Sequence, residues 1–228
     1  MSNFSYADDM AVVCSSAFAL NEMLKLCEGL AARHYVEYST SKSECMTITP
    51  QHCRPTCPPA IYLNGEKLKY VNKFTYLGHI ITSDFYDEDD IKKETRNLCA
   101  RGNAIIRQFS FCNMDVKCNL FRSYCYSFYC GSLWTNFRMA TFNRLKVCFN
   151  MIMRRLAGVA PWQSAREMFA NLGLQSFAER HASVCEGVRA RARASENTLI
   201  HNLVDSDAAV WSALWQRWTL LLDGPPPL

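Results

Sequence analysis

The order of apolar and polar positions predicts short strands and one helix at the start of the chain. Residues 4–14, FSYADDMAVVC, place apolar side chains on both sides of the polar group Ala7-Asp8-Asp9, which predicts two short strands joined by a turn. Residues 16–34 predict an amphipathic helix, because apolar side chains recur at the helical period, at Leu20, Met23, Leu24, Cys27, Leu30 and Ala31.

The next fifty residues favour further strands. Asn64-Gly65, between two short apolar segments, is the strongest hairpin pattern in the chain. Residues 39–42 indicate a turn and residues 50–59 a Pro-rich loop. Segments with the composition of β-strands lie at residues 35–38, 45–49 and 74–81.

After residue 84 the pattern becomes helical and stays so. Helices are predicted over residues 88–109, 115–131 and 141–157, the first with acidic Asp87–Asp90 at its start, where the helix dipole favours negative charge. Capping boxes are expected at Ser164-x-x-Glu167 and Ser176-x-x-Glu179. A last helix is expected around four apolar residues, Trp211, Leu214, Trp215 and Trp218. These patterns together predict an α+β fold.

Cysteine spacing and hydropathy bear on the compartment in which the protein is expected. The twelve cysteines are scattered along 228 residues, and no apolar run reaches the length of a membrane span. The start of the chain has no signal-peptide pattern. We therefore expect reduced thiols, an intracellular protein (cytoplasmic or nuclear) and no membrane partner. The spacing of His52, Cys53 and Cys57 argues against a zinc site.

Charge divides the chain. Residues 1–90 carry seven Lys or Arg against twelve Asp or Glu, and residues 91–228 carry eighteen against nine. An acidic first part and a basic second part are typical of a metal-binding piece joined to a piece that grips a polyanion. Solvated faces of Arg-rich helices would give the same count, so charge alone leaves both interpretations open.

The Tyr6-Ala7-Asp8-Asp9 segment carries the sharpest chemical pattern. Adjacent carboxylates at a hairpin tip can both reach one cation cluster, and Mg²⁺ prefers oxygen ligands. Nucleotidyl transfer uses two such cations. A solvated acidic turn is the alternative interpretation of these four residues by themselves.

Several motifs in order resemble the reverse transcriptases of non-LTR (LINE-type) retrotransposons. They are FSYADDMAVV, YSTSKSECMTI, IYLNGEKLKYVNKFTYLGHIITSD, IKKETRNLCARGNAI, LFRSYCYSFYCGSLW and RLKVCFNMIMRRLAGV. The resemblance extends from about residue 4 to about residue 180. It implies a partial polymerase palm, with an antiparallel sheet and one packed helix, followed by an all-helical thumb and C-terminal helices.

The resemblance also implies roles for individual residues. Asp8 and Asp9 match the catalytic metal-binding pair, and Tyr6 matches the aromatic side chain beside the primer terminus. Lys42 matches a catalytic lysine that protonates the leaving pyrophosphate or binds its charge. The primer grip corresponds to Tyr76-Leu77-Gly78, and an ordinary bend in a strand is the alternative there. The implied cofactor is Mg²⁺, with Mn²⁺ as a substitute.

The implied domains are a palm at residues 1–85, a thumb-like region at 86–160 and a helical extension at 161–228. The thumb contains five candidates for phosphate contacts with an RNA/DNA duplex or template-primer, namely Lys92, Lys93, Arg96, Arg101 and Arg107. We expect at most three of them to contact phosphate.

The chain begins inside the first strand of the Tyr-Ala-Asp-Asp hairpin, whereas the family places fingers and a further metal-binding aspartate upstream. We therefore expect weak or absent metal binding and no polymerase activity by this chain alone, with a missing polymerase portion required in trans. Three hypotheses follow. The chain is a catalytically silent polymerase remnant, a nucleic-acid-binding module, or a structural or interaction protein or translated retrotransposon fragment with no role.

Overall fold

The computed structural model describes residues 2–48 and 58–205 together with Leu214 and Gln216. The chain divides into two compact units, Met1–Tyr86 and Asp87–Leu228. Strands and one helix form the described part of the first unit, and the described part of the second is helical. The α+β class predicted from the sequence is therefore confirmed. The Pro-rich loop, the cysteine pair at 53 and 57 and most of the Trp-rich helix lie outside the described residues.

The first unit opens with the predicted hairpin. Strands β1 (Ser2–Tyr6) and β2 (Asp9–Val13) pair antiparallel, with Tyr6 opposite Asp9. The turn therefore consists of Ala7 and Asp8, and Asp9 belongs to β2 rather than to the turn. Helix α1 (Ala17–Arg33) follows, and the Ser16 side chain accepts a hydrogen bond from the Ala19 amide. This cap fixes the start of the helix where the sequence predicts it.

Six further short strands lie among the described residues of the first unit. They are β3 (Glu44–Cys45), β4 (Tyr62–Leu63), β5 (Glu66–Lys67), β6 (Lys69–Tyr70), β7 (Lys73–Tyr76) and β8 (His79–Thr82). β4 and β5 form the predicted Asn64-Gly65 hairpin, with φ of 49° and 77° at the two turn residues, as a type I′ turn requires.

Three strand predictions need correction. Residues 35–38 form no strand, since Tyr35 has a φ of 55° and is almost fully exposed. Residues 74–81 form the β7–β8 hairpin rather than one strand, because Leu77 and Gly78 both have positive φ. The antiparallel sheet that the resemblance implies is instead a set of two-stranded sheets, and β3 and β6 pair in parallel.

The second unit contains six helices within its described residues. They are α2 (Glu88–Phe109), α3 (Met114–Cys125), α4 (Met139–Ala157), α5 (Ala165–Asn171), α6 (Phe177–Arg193) and α7 (Thr198–Asp205). The prediction for α2 is confirmed at both ends, whereas α3 ends six residues earlier than residue 131. Ser176 and Glu179 form the predicted reciprocal capping box, and Ser164 accepts from the Glu167 amide.

Aromatic packing dominates the core of the second unit. Phe149 on α4 is fully buried. The centroid of its ring lies 4.9 Å from the ring centroid of Phe121 and 5.4 Å from that of Phe169. Because Phe169 and Phe177 belong to the same buried cluster as α2 and α4, the core continues without a break across residue 160.

Two buried carboxylates brace α2. Asp90 is completely buried, and its oxygens accept from Lys93 Nζ at 2.5 Å and from Trp134 Nε1 at 2.8 Å. Glu94 is 2% exposed and accepts from Arg101 Nη2 at 2.5 Å. Burial raises the pKa of Glu94, while the hydrogen bond and charge of Arg101 act in the opposite direction. Both carboxylates therefore serve internal contacts.

Among the described residues, no helix combines the length and apolar character needed to cross a bilayer.

The second unit is expected to resist proteolysis longer than the first. Among the described residues, its core contains seventeen buried apolar side chains, against five in the core of the first unit. Opening to a protease becomes rarer as buried apolar contact increases. Limited trypsin digestion of the full chain, followed by mass spectrometry, should yield a persistent fragment covering α2 to α6. Digestion in urea provides the control for cleavable sites in both units. Survival of an N-terminal fragment after loss of the helical unit would contradict the expectation.

Candidate functional site

The β1–β2 hairpin presents both aspartates to solvent. Asp8 lies in the two-residue turn and Asp9 opens β2, and both side chains are exposed. Tyr6, at the end of β1, is 67% exposed. Ala7 has a φ of 52°, a conformation that costs a residue with a Cβ about 1–3 kcal/mol and that occurs often at functional turns. The tip is therefore a tight turn with two accessible carboxylates.

The β7–β8 hairpin is tied to the Asp-Asp hairpin. Tyr76 Oη donates a hydrogen bond to the carbonyl oxygen of Phe4 at 3.2 Å, so a residue of the primer-grip match contacts β1 directly. Leu77 and Gly78 form the turn of β7–β8, with φ of 47° and 78°. Two segments that are 72 positions apart in the sequence, and that the resemblance assigns to one site, are thus joined by a hydrogen bond.

The turn that carries Lys42 is held by the β4–β5 hairpin. Thr40 Oγ1 donates to Glu66 Oε2 at 2.5 Å, and Asn64 Nδ2 donates to the Tyr38 carbonyl at 3.2 Å. Lys42 itself is exposed. Within the described residues it forms no ion pair with Asp8 or Asp9, so the structure anchors its backbone without joining its amine to the carboxylates.

Tyr38 connects this segment with β2. Its hydroxyl lies 4.0 Å from Met10 Sδ, one residue beyond Asp9. The sequence pointed to no role for Tyr38. The β-prone composition of residues 35–38 predicted a strand there, and that prediction is wrong.

The hairpin tip presents two carboxylates. Over residues 2–48 and 58–205, no group of three or more His, Cys, Asp or Glu side chains is arranged to hold a metal ion. Asp8 and Asp9 provide oxygen ligands suited to Mg²⁺, and further ligands would have to come from water, substrate or another polypeptide.

The five basic candidates on α2 differ in their surroundings. Lys93 contacts buried Asp90, and Arg101 contacts buried Glu94. Lys92 lies 3.5 Å from Glu88 and 3.8 Å from Asp89 at the surface. Arg96 and Arg107 are exposed, and neither forms an ion pair with any described residue. The cations most available to a polyanion are therefore Arg96 and Arg107. Lys92 is less available, because its acidic neighbours Glu88 and Asp89 compete with a polyanion for its charge.

A groove between α2 and α4 adds basic residues that sequence reasoning missed. This α2–α4 groove has a volume of about 490 Å³ and is lined by residues that include Cys99, Asn103, Arg144, Cys148, Met151 and Arg155. Arg144 and Arg155 are both exposed. Their spacing of eleven residues places them on one face of a helix, and this spacing was visible in the sequence.

The two helices run in the same direction along the groove. Cys99 lies against Cys148, and Gly102 lies against Ile152, so contacting residues ascend together on both helices. Arg96 precedes Cys99 by three residues, and Arg144 precedes Cys148 by four. The two arginines therefore lie near the same end of the groove.

No protein-family model matches the chain, and neither a curated protein nor a solved structure is significantly similar to it.

Proposed function

We propose that the chain is the palm-and-thumb portion of an RNA-directed DNA polymerase of the non-LTR retrotransposon kind. The observation that carries the proposal is the exposed Asp8-Asp9 pair at a tight hairpin whose first strand accepts a hydrogen bond from Tyr76. The order of the sequence motifs supports it, since the resemblance assigns Asp8 and Asp9 to metal binding and Tyr76 to the primer grip.

In this proposal Asp8 and Asp9 are ligands of a divalent cation, Mg²⁺ or Mn²⁺. When bound, the cation would neutralise triphosphate charge and favour ionisation of the primer hydroxyl. Tyr6, at the end of β1, would contact the primer terminus with its exposed ring. Tyr76, Leu77 and Gly78 would support the primer strand, with the Tyr76 hydroxyl maintaining the position of β1.

Lys42 would donate a proton, or bind charge, at the leaving pyrophosphate. An ammonium group suits this role because negative charge grows on the leaving phosphate as its bond breaks. The backbone of the Lys42 turn is anchored through Thr40 and Asn64, which leaves the exposed side chain able to reach a substrate.

Primer extension tests the proposal directly. The chain is mixed with a fingers-and-palm fragment of a related polymerase, which supplies the remaining ligands and the nucleotide pocket. Extension on mixing that is lost with Asp8→Asn supports the proposal, and extension that is insensitive to Asp8→Asn and Asp9→Asn argues against it.

A second candidate function is sequence-independent binding of nucleic acid by the helical unit. The α2–α4 groove favours it, because Arg144 and Arg155 line the groove and Arg96 lies near one end. Residues 144 and 155 are about 16 Å apart along the helix axis, a span over which duplex DNA presents several phosphates on each strand.

Replacing Arg96, Arg144 and Arg155 together by alanine is expected to weaken binding of an RNA/DNA duplex. Each lost phosphate contact should reduce the slope of log K against log salt by about 0.9 for a duplex, so the slope should fall by roughly 2–3. Fluorescence anisotropy with a labelled duplex at several salt concentrations measures both affinity and slope.

A matched triple variant separates the groove from net charge. Lys146, Arg166 and Arg191 are exposed cations of the same unit outside the groove, and their replacement by alanine removes the same charge. The expected slope change for this control is less than about half that of the groove variant. Equal changes would show that general charge, rather than the groove, determines binding.

A further inference from the structure

Two cysteine sulfurs meet at the α2–α4 groove. Cys99 Sγ and Cys148 Sγ lie 2.6 Å apart, close to the ~2.05 Å of a sulfur–sulfur bond. Both cysteines are free thiols in the structure. They come from two helices whose contacts fix their separation, since Gly102 on α2 leaves room for Ile152 on α4 and any Cβ at position 102 would meet that side chain at 2.4 Å.

The pair is accessible as well as close. Cys99 and Cys148 are half-buried, and both line the groove of about 490 Å³. Cys125, which also lies near Cys148, is completely buried. A small reagent entering the groove would therefore reach Cys99 and Cys148 but not Cys125.

We propose that Cys99 and Cys148 form a reversible disulfide that links α2 to α4, with a low-molecular-weight disulfide such as oxidised glutathione as the oxidant. This disulfide is independent of the proposed polymerase function. Disulfides in reducing compartments are usually transient and redox-sensing. A close and accessible pair of thiols is suited to form such a disulfide.

The chemistry balances in two exchange steps. The thiolate of one cysteine attacks a sulfur of oxidised glutathione, which forms a mixed disulfide and releases one glutathione thiolate. The second cysteine then attacks the protein sulfur of that mixed disulfide, which forms the Cys99–Cys148 bond and releases the second glutathione thiolate. Two protons leave the protein thiols and are taken up by the two glutathiones, so the cysteines are oxidised and glutathione is reduced.

The surroundings of the pair limit ionisation of the thiols. Burial, together with the neighbouring Cys99, raises the pKa of the Cys148 thiol to about 12, and nearby Arg155 only partly opposes this shift. Because the thiolate is the attacking species, formation of the disulfide should become faster as the pH rises.

The test uses the full chain equilibrated with mixtures of reduced and oxidised glutathione, then alkylated and digested with trypsin. Trypsin releases residues 97–101 (NLCAR) and 147–154 (VCFNMIMR) as separate peptides. The expected result is a cross-linked pair of these peptides, lighter by two hydrogens than their sum, that disappears on treatment with dithiothreitol. Oxidation should also raise the thermal midpoint of the helical signal by on the order of 5–10 °C, because the bond closes a loop of about 50 residues.

Single substitutions make the result specific. Cys99→Ser and Cys148→Ser should each abolish the cross-linked pair, because either change removes one of its two sulfurs. Cys112→Ser is the matched control, since Cys112 is a half-buried cysteine of the same unit and its loss should leave the cross-link intact. If no cross-linked pair forms at any glutathione ratio, whether the thiols stay reduced or carry glutathione singly, the proposal is overturned.

Discussion

Replacing Asp90 by alanine is expected to destabilise the helical unit by about 3–5 kcal/mol, the range for removing one partner from a buried ion pair. The Asp90 carboxylate is completely buried and joins Lys93 to Trp134. Its removal leaves the Lys93 ammonium, whose side chain is only 22% exposed, without this counter-charge. It also takes the acceptor from a buried indole N–H, and an unsatisfied buried donor is costly.

Urea unfolding of the full chain, followed by the helical circular dichroism signal, measures this effect. Asp89→Ala is the matched control, because Asp89 is the preceding acid of the same helical turn and its side chain is 37% exposed in a 3.8 Å pair with Lys92. Surface pairs of this kind contribute about 0–1 kcal/mol. Asp90→Asn should fall between the two, since the amide oxygen can still accept from Trp134 while the charge is lost. Equal effects of the Asp89 and Asp90 substitutions would show that Asp90 has no special part in the fold.

The same carboxylates show where sequence reasoning succeeds and where it stops. The acidic run 87–90 correctly located the start of α2 at Glu88, because charge near a helix end is a local matter. The run gives no indication that Asp90 reaches Trp134, 44 positions away, or that Asp87 accepts from the Thr135 and Asn136 amides at 2.7 and 2.8 Å. Those contacts arise from packing between distant segments, and an acidic helix start does not specify them.

The strands also differ in how far local sequence predicts them. Asn64-Gly65 was predictable because a turn with two positive φ values has a strong residue preference. Leu77-Gly78 adopts the same turn, yet Leu at a positive φ is unfavourable, so a single strand was the simpler prediction. Residues 35–38 have β-prone composition but no strand partner among the described residues, and composition without pairing does not make a strand.

The candidate site was partly predictable. The sequence singled out Asp8, Asp9 and the Tyr76 segment as candidates, and the structure adds a hydrogen bond from Tyr76 to Phe4, on the strand that leads to Asp8. It did not single out Arg144 and Arg155, whose proposed role in binding nucleic acid depends on the groove that α4 makes with α2. Lys93 was a candidate for phosphate contact because basic residues look alike in a sequence, whereas its contact with Asp90 is a property of the fold.

The purified chain alone is expected to give no primer extension with Mg²⁺ or Mn²⁺ on any template. Asp8 and Asp9 are two exposed carboxylates on one turn, and Mg²⁺ loses water reluctantly and demands near-octahedral geometry. Such a pair should bind the cation weakly. Polymerase chemistry depends on positioning and on neutralising phosphate charge, so weak metal binding alone should abolish turnover.

Adding a fingers-and-palm fragment of a related polymerase is expected to restore extension if the site is intact. That fragment supplies a third carboxylate and the nucleotide pocket, and gel analysis of an end-labelled primer detects even single additions. Asp8→Asn in this chain should then remove extension, because it removes an anionic ligand from the cluster. Glu37→Gln is the matched control, since Glu37 is an exposed carboxylate of the same unit and its neutralisation should leave extension unchanged.

The stability of the Asp8→Asn variant separates loss of chemistry from loss of fold. Two adjacent carboxylates on an exposed turn repel each other, so removing one charge should leave the free energy of unfolding unchanged or raise it slightly at pH 7. A variant that is as stable as the parent chain but inactive in the mixture would place the defect in metal binding. Extension by this chain without any added fragment, abolished by Asp8→Asn, would show instead that Asp8 and Asp9 already belong to a complete metal site.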